Sequence, residues 1–451
     1  MKAINIAVEP FQLLHITECM IHKTVNEHFT AVVSGYITSE EEERIMTTSL
    51  NGNFGIKAQD EDEMWFSVFK GYVRDIILKS EGDLKLLTIS AVSNTCKLER
   101  EAHIRTFQGR KQTYRKIVEV IAAKHENTAI IYSIGNQEQT DGLTVQYEEN
   151  DWEFLKRMAS ELSSVLIPDC TNDHTCFYFG FPDKKKYAEL NITDYQIKKY
   201  HSDGKEKLEY LVKSREDANL CTPVTFQGRT MFIYDSRAAL EGNELTYEYC
   251  LRPRDGFEVR PLANEYAVGA SIIGSVEDVE EERVRVSIHS ENDYTFGSGL
   301  WFQFATVYSS PDGTGWYCMP EIGDQIRIYF PDADTRRAYV ISAVHVEDTR
   351  DLRKDPDEKS IRTIHDKEIR LTPDKILITN HHGTSILLDD NSGIRIRSNR
   401  KIAIISGESV EIRGNEKVTL EGNEGVYLQE NQNVLMVRNG IKEQAMNIEH
   451  R

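Results

Sequence analysis

Pairs of aliphatic residues two apart recur along the last fifth of the chain, and from Ile378 they do so every eight residues without a slip. Seven consecutive octads carry Ile386/Leu388, Ile394/Ile396, Ile402/Ile404, Val410/Ile412, Val418/Leu420, Val426/Leu428 and Val434/Met436, and Ile369/Leu371 and Ile376/Ile378 precede them. A spacing of two puts both members of a pair on one face of a strand, and an even period keeps each pair on that face. Asn399, Asn415, Asn423, Asn431 and Asn439 follow the first apolar position by five, with Gly414 and Gly422 just before two of them. Asn and Gly tolerate the left-handed backbone of a sharp corner, so each octad reads as a strand plus a corner.

Short repeats with regular corners are the mark of a β-helix or prism. One octad spans roughly 25 Å when extended, about one face of a triangular prism. Either three octads of one chain close each turn, or three chains share it. The plainer alternative is an antiparallel meander, although hairpins normally vary their loop lengths.

Upstream, between Tyr266 and His345, the chain alternates in short strand-like runs such as Val284, Val286, Ile288 and Ile326, Ile328, Phe330, separated by turn signals such as Pro311-Asp312-Gly313. Five or six short strands in this length predict a small closed barrel of the oligonucleotide/oligosaccharide-binding (OB) type. Such barrels bind single strands through aromatic residues in a basic groove. Trp301, Phe302, Phe304, Tyr308, Trp316 and Tyr317 are here, but the flanking charges are Glu277, Asp278, Glu280, Glu281 and Glu282. Core and interface packing is the better reading of these rings.

The first 260 residues mix strand runs with two helical patterns. Thr113–His125 has Thr113 as N-cap ahead of Ile117, Val118 and Ile121, and Asp151–Leu162 has Asp151 as N-cap with Phe154, Leu155, Met158 and Leu162 on one face. At 451 residues the chain is too long for one core.

Charge narrows the partners. With 73 acidic against 54 basic residues the formal net charge is −19, which repels a phosphate backbone, so nucleic acid is not expected. No run has the roughly 20 apolar residues of a membrane-spanning helix, and the start MKAINIAVEPFQ lacks the apolar core of a secretory signal. The seven cysteines are odd in number and mostly isolated, which fits reduced thiols made in a cytoplasm.

Two stretches carry a family resemblance. Gly315–His345, with its Pro320-Glu321-Ile322-Gly323-Asp324 turn, resembles the barrel of Vgr-type spikes of contractile injection systems. Leu143–Leu162 resembles the same family's hub segment, Gln146, Tyr147, Glu149 and Asp151 matching its motif, with Gly323 and Asp324 matching that of the barrel. The resemblance implies a mainly β chain with a few helices, as an α+β hub of small barrels over 1–262, an OB-fold barrel over 263–346, a linker over 347–366, a triple-stranded β-helix or prism needle over 367–442 and a tip over 443–451. It further implies a homotrimer that caps an inner tube, contacts baseplate wedge proteins, sometimes carries a PAAR-type tip protein, and pierces a target-cell envelope on sheath contraction. Such a subunit is made in the bacterial cytoplasm and assembled into a phage-tail-like particle of the type VI, phage or bacteriocin kind. Some phage relatives place a lysozyme between barrel and needle, and here 347–366 is far too short for one.

No catalytic, cofactor or metal residue is assigned. The common nucleotide, zinc-protease, hydrolase and zinc-ribbon signatures are missing. Cys170, His174 and Cys176 lie within seven residues but lack a fourth zinc ligand. His381-His382 falls at a corner early in the repeat and is expected to face solvent. The acidic runs Glu40–Glu43, Asp60–Glu63 and Glu277–Glu282 lack the spacing of a calcium loop. Two other readings remain at this stage, a spike with cell-wall hydrolase or effector activity and a trimeric adhesin or glycan-binding stalk.

Overall fold

A computed structural model describes residues 2–47, 52–202, 204–296, 299–345 and 353–444. The chain is mainly β, as expected, and divides into two compact units, Met1–Val346 and Glu347–Arg451.

Period-two alternation in the first unit builds β1 (Asn5–Glu9), β2 (His15–Thr24), β3 (Thr30–Tyr36), α1 (Ser39–Thr47), β4 (Asn53–Gln59), β5 (Trp65–Glu81) and β6 (Leu84–Ser93). Then come β7 (Ala102–Thr113), α2 (Tyr114–Ala122), β8 (Thr128–Tyr132), β9 (Gln139–Asn150), α3 (Asp151–Glu161), β10 (Leu166–Pro168) and β11 (Thr175–Phe179). A second strand group follows as β12 (Tyr195–Ser202), β13 (Lys205–Ser214), β14 (Pro223–Phe226), β15 (Arg229–Glu241) and β16 (Glu244–Arg252).

The first and second groups join into one 11-stranded sheet of order β1-β4-β5-β6-β3-β2-β15-β16-β13-β12, with β14 on β15. Its inward positions, among them Ile21, Val33, Ile56, Phe69, Ile89, Val212 and Tyr249, make the largest apolar core. Between the groups, α2 and α3 bury Ile117, Val118, Ile121, Phe154, Leu155 and Met158 with Phe107 and Phe177.

Both expected helices form. Thr113 caps α2 by accepting from the Lys116 N–H. Asn150 rather than Asp151 caps α3, in a capping box with Glu153. The expectation for Asp151 fails because its carboxylate is drawn into a buried ion network.

The remainder of the unit is β17 (Ser271–Glu280), β18 (Arg283–Ile288), β19 (Asn292–Phe296), β20 (Trp301–Gln303), β21 (Gln325–Tyr329) and β22 (Tyr339–Val344). Five of these form the sheet β20-β18-β17-β21-β22. Its core of Val276, Val284, Val286, Phe302, Ile326, Ile328 and Val340 also takes Leu143 and Val145 from β9. In return β19 leaves the barrel and pairs in parallel with β7, Asn292 opposite Arg105. Barrel and hub thus exchange a strand and share a core, a coupling that a boundary at residue 262 does not convey.

In the second unit β23 (Lys359–Arg362), β24 (Glu368–Thr372), β25 (Lys375–Thr379), β26 (Ser385–Asp389) and β27 (Gly393–Arg397) form one antiparallel meander, and β28 (Val426–Glu430), β29 (Asn433–Val437) and β30 (Ile441–Gln444) another. Among the described residues no three octads of one chain wind into a prism turn. The pairing begins at Lys359, inside the expected linker.

Hairpin length explains what the octads do instead. The three-residue loop between Asp389 and Gly393 sets Ile386 against Ile396 and Leu388 against Ile394, so the apolar pairs share a face. The two-residue loop between Glu430 and Asn433 sets Val426 against Val437 and Leu428 against Leu435, which turns Val434 and Met436 to the other face. A one-residue change of register swaps faces, so the period of eight is not honoured by every hairpin.

Candidate functional site

The hub motif is a buried polar network. Asp151 is fully buried at the start of α3. Its Oδ1 accepts from Arg105 Nη1 at 2.5 Å and Gln146 Nε2 at 2.8 Å, and its Oδ2 lies 2.6 Å from His125 Nε2. Burial opposes the charge of Asp151, but the His125 and Gln146 hydrogen bonds and the Arg105 charge outweigh it and hold the carboxyl below its usual range. Two residues earlier Glu149 binds Arg157, whose Nη2 also donates to the Val145 carbonyl at 2.6 Å. The helix start, strand β9 and strand β7 are therefore locked by paired charges rather than by apolar packing alone.

Tyr147 does a different job. Its ring lies 6.4 Å from that of Phe330 in the barrel, and its carbonyl accepts from Asn264 Nδ2 at 2.9 Å. Gly323 and Asp324 close the barrel turn before β21. Gly323 has φ +93° and its N–H donates to Val276 O, while the Val276 N–H donates to Asp324 O. Asp324 Oδ2 accepts from the Glu321 N–H at 2.9 Å. All six motif residues are thus structural partners, gathered in two places.

Arg105, His125 and Arg157 escaped the sequence reading. Arg105 sits mid-strand between Ile104 and Thr106, and its buried partner Asp151 is 46 residues away. His125 stands at the wall of a cleft of about 1630 Å³ with Arg105, His103, Lys97 and Arg100. The imidazole is anchored by Asp151, and the backbone N–H donates to the Ala122 carbonyl.

The other candidates do not assemble. Among the described residues no group of three or more His, Cys, Asp or Glu can hold a metal. Burial pushes the Cys176 thiol up to about 11 and that of Cys170 upward too, which keeps both protonated. Glu40, Glu41 and Glu42 form the acidic first turn of α1, and Asp60 accepts from the Asp62 and Met64 N–H groups. His381 and His382 are exposed, and Nε2 of His381 is 2.5 Å from Oε2 of the buried Glu368.

The largest unexplained feature lies in the second unit. Its repeat leaves Ile394 72% exposed, Ile404 72% and Leu420 60%, and Ile386, Leu388, Ile396, Ile402, Val410, Ile412, Val418 and Leu428 are also exposed. Val426, Val434 and Met436 are half-buried. Burying the rest of one such side chain is worth about 1 kcal/mol.

Residues 272–345 match the type VI secretion system/phage-baseplate injector OB domain. That match falls on the five-stranded barrel and includes Gly323 and Asp324. The chain resembles the Vgr-type spikes. The E. coli c3393 protein, a type VI secretion component with structural similarity to T4 bacteriophage tail proteins gp27 and gp5, superposes with TM-score 0.52 at 12% identity, covering 76% of this chain and all of that one. A chain of the Francisella PdpA–VgrG complex in its half-lidded state gives TM-score 0.57 at 9% identity, covering 88% of each. At such identity the likeness is one of fold. No curated protein sequence matches the chain.

In this Vgr-like chain the motif residues sit where the hub strand β9 meets its helix, with Asp151 on the wall of the cleft, and where the barrel closes.

Proposed function

We propose that the chain is the subunit of a homotrimeric central spike of a contractile injection system. The observation that carries this reading is the ladder of aliphatic pairs at period eight, which one chain leaves in water. Three copies, each contributing one face of a triangular prism, bury all the pairs inward and give every strand a neighbour from another chain. The core of that prism is Ile386, Leu388, Ile394, Ile396, Ile402, Ile404, Val410, Ile412, Val418, Leu420, Val426, Leu428, Val434 and Met436.

In this reading 1–262 is the hub, 263–346 the OB barrel, 347–366 a connection, 367–442 the needle and 443–451 its tip. The hub docks on the inner tube and baseplate wedge proteins, a PAAR-type protein covers the tip, and the needle concentrates thrust on a small area of target envelope. The role is mechanical and not enzymatic, which the anchored His125 and the structural use of the motif carboxylates support. The particle is phage-tail-like and assembled from cytoplasmic protein.

Light scattering on the purified full chain tests the proposal. A mass three times that of one chain is expected, and a stable monomer at micromolar concentration overturns it. Lysis of peptidoglycan in a zymogram would move the reading to a hydrolase-carrying spike.

A further inference from the structure

Charge along the octad repeat is balanced except in one place. Over 367–444 there are eleven cations and eleven carboxylates, so the formal −19 of the chain comes from elsewhere. Within that span 391–407 carries Arg395, Arg397, Arg400 and Lys401 and no acid, and all four cations are exposed. Cations on either side have counter-ions. Arg370 meets Glu368 at 2.7 Å, Lys375 meets Asp374 at 3.5 Å and Asp389 at 3.8 Å, and Arg413 meets Glu411 at 3.0 Å. Among the described residues Arg395, Arg397, Arg400 and Lys401 have none. The nearest carboxylates along the chain are Asp389 and Asp390 before them and Glu408 after, and Asp389 is already held by Lys375 and by the Asn391 and Ser392 N–H groups.

Register decides which way these side chains face. In β27 Arg395 stands opposite Leu387 and Arg397 opposite Ser385, while Ile394 and Ile396 stand opposite Leu388 and Ile386. Side chains alternate across a strand, so Arg395 and Arg397 lie on the face away from the apolar pairs. Eight residues on, at the same two places of the next octad, are Ala403 and Ile405. Ile405 is 89% exposed, and unlike Ile404 it is no part of the ladder of pairs. A three-chain prism turns the pairs inward, which covers Ile404 and leaves Arg395, Arg397 and Ile405 on the outer wall.

We propose that this outer wall is a lipid-surface contact, in which Arg395, Arg397, Arg400 and Lys401 hold the phosphates of an anionic headgroup layer and Ile405 enters the boundary between headgroups and acyl chains. Guanidinium forks match phosphate oxygens two at a time, and each cation near an anionic leaflet adds to the attraction. The negative charge of the rest of the chain is screened beyond about 10 Å at ordinary salt, so a local basic wall acts against it. A basic row beside an exposed aliphatic side chain is the composition of an interfacial contact. Ile405 is also what favours lipid over a single-stranded nucleic acid, whose bases stack on aromatic rings, and 391–407 has no aromatic residue. The inference rests on the trimeric needle proposed above and names the envelope component that its side meets.

Flotation of the full chain with vesicles of phosphatidylglycerol and phosphatidylcholine in equal parts tests it, beside vesicles of phosphatidylcholine alone. The wild type is expected to float with the mixed vesicles only and to be released by added salt. Arg395→Gln/Arg397→Gln/Arg400→Gln/Lys401→Gln should lose at least about tenfold in binding. Lys111→Gln/Lys124→Gln/Lys185→Gln/Lys186→Gln, which removes as many exposed hub cations, should bind like the wild type. Ile405→Ser should weaken binding roughly three- to tenfold and keep the trimer. Light scattering on each variant separates loss of assembly from loss of binding. A wild-type trimer that does not float, or a needle variant that stays trimeric and floats as well as the wild type, overturns the lipid contact and leaves the spike reading standing. Binding to single-stranded DNA as tight as to the mixed vesicles, with Ile405→Ser unchanged, makes the wall a general polyanion site and also overturns it. A monomer overturns both.

Discussion

The Arg157 guanidinium lies flat against the Glu149 carboxylate, with Nε to Oε1 and Nη2 to Oε2 both at 2.8 Å and both side chains buried. Such a bidentate pair fixes direction as well as distance. Removing one partner strands the other charge in the interior, so Arg157→Ala is expected to cost about 3–5 kcal/mol. Arg157→Lys, which keeps the charge but loses the fork, should cost less. Chemical denaturation of the two variants measures both.

His28 sets an acid limit on the hub. Its ring lies 4.5 Å from that of Trp152, and burial pushes its pKa down to about 4. Glu99 Oε1 is 3.1 Å from Nε2, but Nε2 has no aligned hydrogen bond, so burial prevails over the attraction. Because the folded value lies below the unfolded one near 6.5, this stability is complete above pH 6.5 and is lost as pH falls toward 4. The loss is about 3 kcal/mol. His28→Gln should flatten the pH dependence of the melting temperature in that window.

Asp151 acts lower on the scale with the same sign. Its folded pKa lies below the unfolded value, so its contribution is present above about pH 4 and is lost as pH falls through the depressed value. Asp151→Asn also leaves Arg105 without its counter-ion and should destabilise by several kcal/mol at pH 7. If that variant melts like wild type, the network is not what holds β7, α2 and α3 together.

Ile404 separates the needle from the hub. In one chain it is 72% exposed, so Ile404→Asp should leave the hub melting transition where it is. In a three-chain prism the same change buries three charges near one axis. Loss of the trimer in light scattering, with an unchanged hub transition, is the expected pair of results.

Gly323 holds the barrel turn by conformation and not by space. Its φ is +93°, and a Cβ there would meet nothing within 4 Å. Gly323→Ala should therefore cost about 1–2 kcal/mol through backbone strain alone. A larger loss would point to a contact made in the assembly.

Much of this molecule was legible in the residues. The period of two located the barrel strands, because a strand's side chains alternate whatever surrounds it, whereas the octads of Ile402/Ile404, Val410/Ile412 and Val418/Leu420, read as strands from their period, form none between β27 and β28 of one chain. Thr113 was readable as a cap because capping is local. Asp151 was misread as one because its partners, Arg105 and His125, lie 46 and 26 residues away in the chain. The exchange of β19 for Leu143 and Val145 left no local trace for the same reason.

The sequence by itself determined that the chain is mainly β, that its last part repeats every eight residues, and that it carries a formal net charge of −19, since each of these follows from composition or spacing along one strand. Only the tertiary structure decided that the motif carboxylates Glu149 and Asp151 are buried ion-pair partners and that the octad isoleucines are left in water. Those are statements about which distant surfaces meet, and the free energy of burial is settled by neighbours in space, not in sequence.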